Sequence, residues 1–102
     1  MMRPKHRYLM VESLNEIGEG ERPTFEFRLY KELLHTLGEI SYHKANPKVM
    51  KFAGKNRFVI KCELVGYEQL ILGLTFLKRI DGKETAFYTI NASGTIKALT
   101  RA

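Results

Sequence analysis

Tryptophan is absent from this chain of 102 residues, cysteine and aspartate occur once each, and proline occurs three times. A lone thiol, Cys62, can neither close an internal disulfide nor bind a metal unaided, which points to a reducing, cytoplasmic compartment. Long apolar runs are also missing. The longest candidate, residues 70–77, is broken by Gly73 and Thr75 and falls short of the ~20 residues a spanning helix needs, so no membrane association is expected. The opening Met1-Met2-Arg3-Pro4-Lys5-His6-Arg7 is basic, without the apolar stretch or small-residue cleavage site of an export signal. The scarcity of aspartate has the largest chemical consequence, because hydrolysis with divalent metals requires clustered carboxylates. Asp81 sits alone in a turn sequence, and the glutamates show no paired spacing. His6, His35 and His43 fall on an arm, a helix surface and a strand, with no cysteine or carboxylate at ligand spacing, and read as solvated side chains. Cys62 lies on the apolar face of a strand, the setting of an inert buried thiol. No catalytic residue, metal site or protein-bound cofactor follows from this inventory.

What the chain does have is positive charge. Seventeen Lys and Arg against eleven Asp and Glu give a formal net charge of +6 and a pI near 9.6. At this length the expectation is one domain spanning residues 1–102, with a surface suited to a polyanion. The charge is unevenly spread: acidic residues dominate residues 12–39, and residues 40–62 contain none. Lys44, Lys48, Lys51, Lys55, Arg57 and Lys61 accumulate in that carboxylate-free stretch, and Arg3, Lys5 and Arg7 form a second group.

Residues 7–14 alternate apolar and polar and read as strand one. Pro23-Thr24 offers a helix start, with Glu26 in the first turn, and Gly38 ends the helix. Phe27, Tyr30, Leu33, Leu34 and Leu37 supply its apolar spacing. Residues 40–45 read as strand two, interrupted by Asn46-Pro47 before a short extended piece, residues 49–52. Gly54-Lys55-Asn56 is a turn signal, and residues 57–64 alternate as strand three. A second helix opens at Gly66 and runs to about Arg79; Leu72 and Phe76 make it apolar nearly all round, so a protein interface is expected there. Asp81-Gly82 is a turn, residues 84–92 read as strand four, and residues 95–102 as a short helix. The order β-α-β-β-α-β plus a C-terminal helix predicts an α+β, ferredoxin-like sandwich resembling RNA-recognition folds, an antiparallel sheet with helices on one face.

Two candidate contact regions for RNA follow. The first comprises Lys44, Lys48, Lys51, Lys55, Arg57 and Lys61 with the arm residues Arg3, Lys5 and Arg7, where no nearby carboxylate in sequence competes for phosphate. The competing reading is a solvated strand face whose lysines discourage edge pairing. The second is Ser93-Gly94-Thr95 with Lys97, where a helix start could present amide N–H groups to an anion; an ordinary cap is the simpler reading. Stacking aromatics are scarce, since Phe58 falls on the core face and Tyr8 is the sole candidate on strand one, so backbone and shape recognition is favoured over splayed single strands.

Arg3-Pro4-Lys5-His6-Arg7-Tyr8-Leu9, Leu37-Gly38-Glu39, Lys51-Phe52 and above all Ala92-Ser93-Gly94-Thr95-Ile96-Lys97-Ala98-Leu99 resemble the archaeal-type ribonuclease P protein component 2 family, in order and over essentially the whole chain. The resemblance implies a protein subunit of the ribonucleoprotein endonuclease that removes 5′ leaders from precursor tRNA. It implies that the RNA is the catalyst and that Mg²⁺ belongs to the RNA, so the holoenzyme is an endoribonuclease while this chain carries no catalytic site. The implied partners are ribonuclease P RNA, ribonuclease P protein component 3, a second copy in a two-plus-two assembly, other ribonuclease P protein subunits and precursor tRNA. Some relatives are expected to extend beyond the position of Ala102 with a basic tail. The alternative, from the fold alone, is a ferredoxin-like ligand-sensing or protein-assembly module with an incidental basic surface. A stand-alone nuclease is disfavoured by the missing carboxylate pairs.

Overall fold

The computed structural model describes residues 5–80 and 82–100. Four strands, β1 (His6–Ser13), β2 (Lys48–Phe52), β3 (Arg57–Glu63) and the late strand Phe87–Ser93, form one antiparallel sheet in which β1 lies between β3 and the late strand, and β2 is the outer neighbour of β3. Helices α1 (Arg22–Ala45) and α2 (Tyr67–Phe76) pack on one another and over one face of this sheet, the ferredoxin-like arrangement expected from the element order. Two short strands, β4 (Arg79–Ile80) and β5 (Lys83–Glu84), make a separate hairpin before the late strand, which is therefore β6. A last helix, α3 (Ile96–Thr100), packs against β1 and β6.

The helix-facing side of the sheet supplies Leu9 and Val11 from β1, Phe58, Ile60 and Cys62 from β3, and Phe87 from β6, all buried with Leu29 and Leu33 of α1 and Leu70 and Leu74 of α2. Phe25 enters this core edge-on to Phe58, ring centroids 5.4 Å apart, and also meets Phe52 and Phe87. That cluster sets the roll of α1. The stripe facing the core is Phe25, Leu29, Leu33 and Leu37, and Phe27, expected to face inward, is 70% exposed. Tyr30 anchors the helix differently, its hydroxyl accepting the Val49 N–H of β2 at 2.8 Å.

Several expected boundaries move. Residues 40–45 are helical, not a strand: Gly38 adopts φ 80, ψ 164, a conformation open essentially to glycine alone, and α1 kinks there and resumes. Six residues of alternation do not separate strand from helix, and the decision comes from packing. Tyr42 and Ala45, three apart on the resumed turn, face the core, and Ala45 is fully buried. Asn46 then ends the helix at φ 45, its N–H donating to the Tyr42 carbonyl at 2.8 Å. The expected Thr24 cap is also not formed, since α1 begins at Arg22 without a side-chain cap and Glu26 instead accepts from the Tyr30 hydroxyl at 3.5 Å. Pro23 fits the first turn because its missing N–H would have no partner in the helix there. α2 stops at Phe76, earlier than expected, because Leu77 turns extended to bury its side chain. The hairpin β4–β5 delays the final strand to Phe87. Asp81 of the expected turn, and Arg101 and Ala102 of the expected last helix, lie outside the described residues.

Candidate nucleic-acid interface

Strand register decides which cations meet. Tyr8 of β1 stands opposite Lys61 of β3 on one side and Ser93 of β6 on the other, and Lys61 in turn faces Lys48 of β2. Directly paired residues point to the same face, so Lys48, Lys61, Tyr8 and Ser93 form one row across the sheet, on the side away from α1 and α2. Two lysines placed directly opposite each other repel, which folding alone does not favour. Lys44, in the last turn of α1, leads into β2 at the same end.

The N-terminal and C-terminal motifs come together beside this row. Arg7 is half-buried, its Nη1 donating to the His6 carbonyl at 3.0 Å, and a Cβ added at Gly94 would stand 3.7 Å from that Nη1. The Ser93 hydroxyl accepts the Thr95 N–H at 3.3 Å, closing the turn into α3, and Lys97 is exposed on α3. The backbone of exposed Lys5 extends the β1–β3 pairing by accepting the Leu64 N–H. The carboxylate at this end, Glu63, lies 3.2 Å from His6 Nδ1.

The rest of the expected basic stretch goes elsewhere. Lys51 pairs in register with Val59 midway along the sheet. Arg57 pairs with Glu12 across β3 and β1, its Nε 3.1 Å from the Glu12 carboxylate. Lys55, in the β2–β3 turn, borders a cleft with Glu16, Glu19 and Arg22. The stretch that is carboxylate-free in sequence thus receives carboxylates in space, at the end of the sheet roughly 13 Å from Lys61 at four residues of rise. Arg3 lies outside the described residues. Leu72 and Phe76 are 55% and 68% exposed on α2.

Among the described residues, no group of three or more His, Cys, Asp or Glu stands close enough to hold a metal ion. Cys62 is 1% exposed, and burial, with Glu63 nearby, pushes its thiol up to about 11 against the opposing influence of Arg7. It is an inert thiol. A cleft of about 390 Å³ at the acidic end is lined by Ser13, Glu16, Glu21, Phe25, Arg28 and Lys83 among others, a mixed set without a carboxylate pair poised on a common atom. Among the described residues, no helix is long and apolar enough to cross a membrane.

The sequence pattern of the Rpp14/Pop5 family matches residues 7–102, which takes in every element described here except the first residue of β1. The chain belongs to the Rpp14/Pop5 family. It is 32% identical to ribonuclease P protein component 2 of Thermococcus gammatolerans over 105 aligned positions, covering 98% of this chain and 83% of that protein. Ribonuclease P protein component 2 of Pyrococcus furiosus is 29% identical with the same coverage, and that of Methanosarcina acetivorans is 30% identical, covering 97% of this chain and 74% of its own. Among solved structures, a chain from the cryo-EM structure of yeast ribonuclease MRP superposes with a TM-score of 0.63 over 93% of this chain and 78% of that one. At 8% identity this last likeness speaks to the fold. The Rpp14/Pop5 assignment covers both halves of the contact row, the Lys48–Lys61 pair and the Ser93–Gly94 turn.

Proposed function

We propose that this Rpp14/Pop5 protein is a component 2 subunit of ribonuclease P, which supports removal of 5′ leaders from precursor tRNA by neutralising phosphates of the catalytic RNA. The observation that carries the contact assignment is the register that sets Lys48 against Lys61, beside Tyr8 and Ser93. An anionic backbone laid along this row relieves the repulsion between the two lysines. Arg7, Lys5, Lys44, Gly94, Thr95 and Lys97 are taken as further contacts beside the row, and Arg3, outside the described residues, as a contact on sequence alone. Lys51, opposite Val59 on the same face, lies inboard of the row, whereas Lys55 and Arg57 contribute less, since Glu12, Glu16 and Glu19 share their end of the sheet. In this reading Mg²⁺ belongs to the RNA. Protein component 3, other ribonuclease P proteins and a second copy of this chain are the protein partners, with Leu72 and Phe76 as exposed apolar contacts.

The test is reconstitution of precursor-tRNA cleavage from a catalytic RNA and component 3, with and without this protein. Cleavage should depend on it, and Lys48→Ala/Lys61→Ala should lower that dependence with the fold intact. Cleavage indifferent to the protein refutes the reading.

A further inference from the structure

We infer that α3 is a specificity plug: it fills the sheet face on which unpaired bases would stack and so confines this protein's RNA contacts to the phosphates of helical RNA, with Leu99 the residue on which that selection depends. This rests on the RNA-binding reading above and adds to it the class of RNA.

The sheet face away from α1 and α2 has an apolar centre. Met10 and Val59, paired across β1 and β3, are buried there with Leu99 of α3, and Tyr8, Ala53 and Ile96 pack against them. Val59 is 0% exposed and Leu99 3%, although this side of the sheet carries no long helix. Ile96 and Leu99, three residues apart, form an apolar edge of α3 and lie on the sheet, while Lys97 is exposed. The short helix thereby replaces an apolar platform with a surface bearing a cation.

Single-stranded RNA binds such sheets by stacking bases on open aromatic rings. Here those rings are withheld. Phe52, Phe58 and Phe87 cluster with Phe25 on the opposite face. Tyr8 is half-buried beside α3, and the exposed Tyr88 stands opposite Glu12, itself paired with Arg57, at the end of the sheet away from the Lys48–Lys61 rim. The cations of the row sit beyond the plug, at the rim formed by Lys48 and Lys61. A duplex keeps its bases stacked inside and presents phosphates outward, so rim cations without a platform suit it.

The experiment measures fluorescence anisotropy with two labelled probes, an RNA hairpin of about 16 base pairs and an oligouridine of similar length, in about 0.1 M salt. The wild-type protein should favour the hairpin by roughly tenfold or more. Leu99→Asp should unseat α3 and raise oligouridine affinity on the order of tenfold, the effect of about one base stack, and Tyr8→Ala in that background should remove the gain. Because Leu99 belongs to a small cluster apart from the main core, the variant should keep its cooperative melt. Should Leu99→Asp unfold the domain, the wild-type comparison still decides: oligouridine bound as tightly as the hairpin overturns the plug. A folded Leu99→Asp with unchanged oligouridine affinity overturns it as well. Binding of neither probe overturns the RNA-binding reading itself.

Discussion

Replacing Lys61 by Glu should stabilise the protein and weaken its RNA binding together, because Lys61 faces Lys48 directly across two strands. Two like charges about 5 Å apart repel by roughly 0.8 kcal/mol in a water-like dielectric. Lys48 is exposed and Lys61 half-exposed, and long side chains splay apart, so the repulsion realised is about 0.3 kcal/mol. Charge reversal turns it into an attraction of similar size, for a gain of about 0.5 kcal/mol in urea denaturation. Lys61→Met, which removes the charge and keeps most of the stem over its neighbours, should fall between. The salt dependence of RNA binding reads the other side: each lost phosphate contact lowers the slope of log K against log salt by about 0.7 to 0.9, which is about threefold in affinity over a fourfold change in salt. Anisotropy titrations between about 50 and 200 mM salt resolve that difference. Arg57→Ala, whose charge is already met by Glu12, should lower the slope less. Destabilisation by Lys61→Glu, or an unchanged slope, would refute both the register and the role assigned to it.

Other outcomes test the packing. Gly66→Ala would drive a Cβ into the Ala45 backbone, which cannot yield without moving α1 from α2, so a loss of about 3 kcal/mol is expected in thermal or urea melts. Gly73→Ala meets the Leu37 side chain, Cδ2 at 2.7 Å and Cγ at 3.1 Å, which can shift by rotation, and gains about 1 kcal/mol in helix propensity, so it should be near neutral. Cys62 should resist iodoacetamide at pH 8 in the native protein and react after denaturation. Its folded pKa of about 11 lies above the ordinary 9.0, so the unfolded chain releases this proton first; the Cys62 contribution to stability is present below pH 9 and falls as pH rises from 9 towards 11. Cys62→Ser should flatten that part of the profile.

The α+β class, the antiparallel sheet and the two main helices follow from apolar periodicity and turn residues, since β1 and β3 each keep a buried face and Asn46, Gly54, Gly66 and Gly82 mark connections between elements. Of the row, Lys48, Lys61 and Ser93 could be named from charge and motif, while Tyr8 stood out only as an aromatic on strand one. Their grouping could not. Lys48 and Lys61 are thirteen positions apart, and Lys61 and Ser93 thirty-two, and nothing local encodes which cation lies across from which. The same holds for Arg57, whose nearest carboxylate in space, Glu12, comes from another strand. The α1 continuation past Gly38 was hidden because a helix resumed after a positive-φ residue looks like a helix end followed by a short strand.

Composition alone disfavours a metal-cage nuclease and raises the expectation of a polyanion partner, because those readings depend on which side chains exist and not on where they lie. Position is a matter of long-range pairing. Antiparallel register gathers Lys48, Lys61, Tyr8 and Ser93 into one row and sends Arg57 to Glu12. The choice of face for α3 was open in the same way: Ile96 and Leu99 could cover any apolar surface, and they lie on Met10 and Val59 because the sheet leaves that patch uncovered once α1 and α2 have taken the other side.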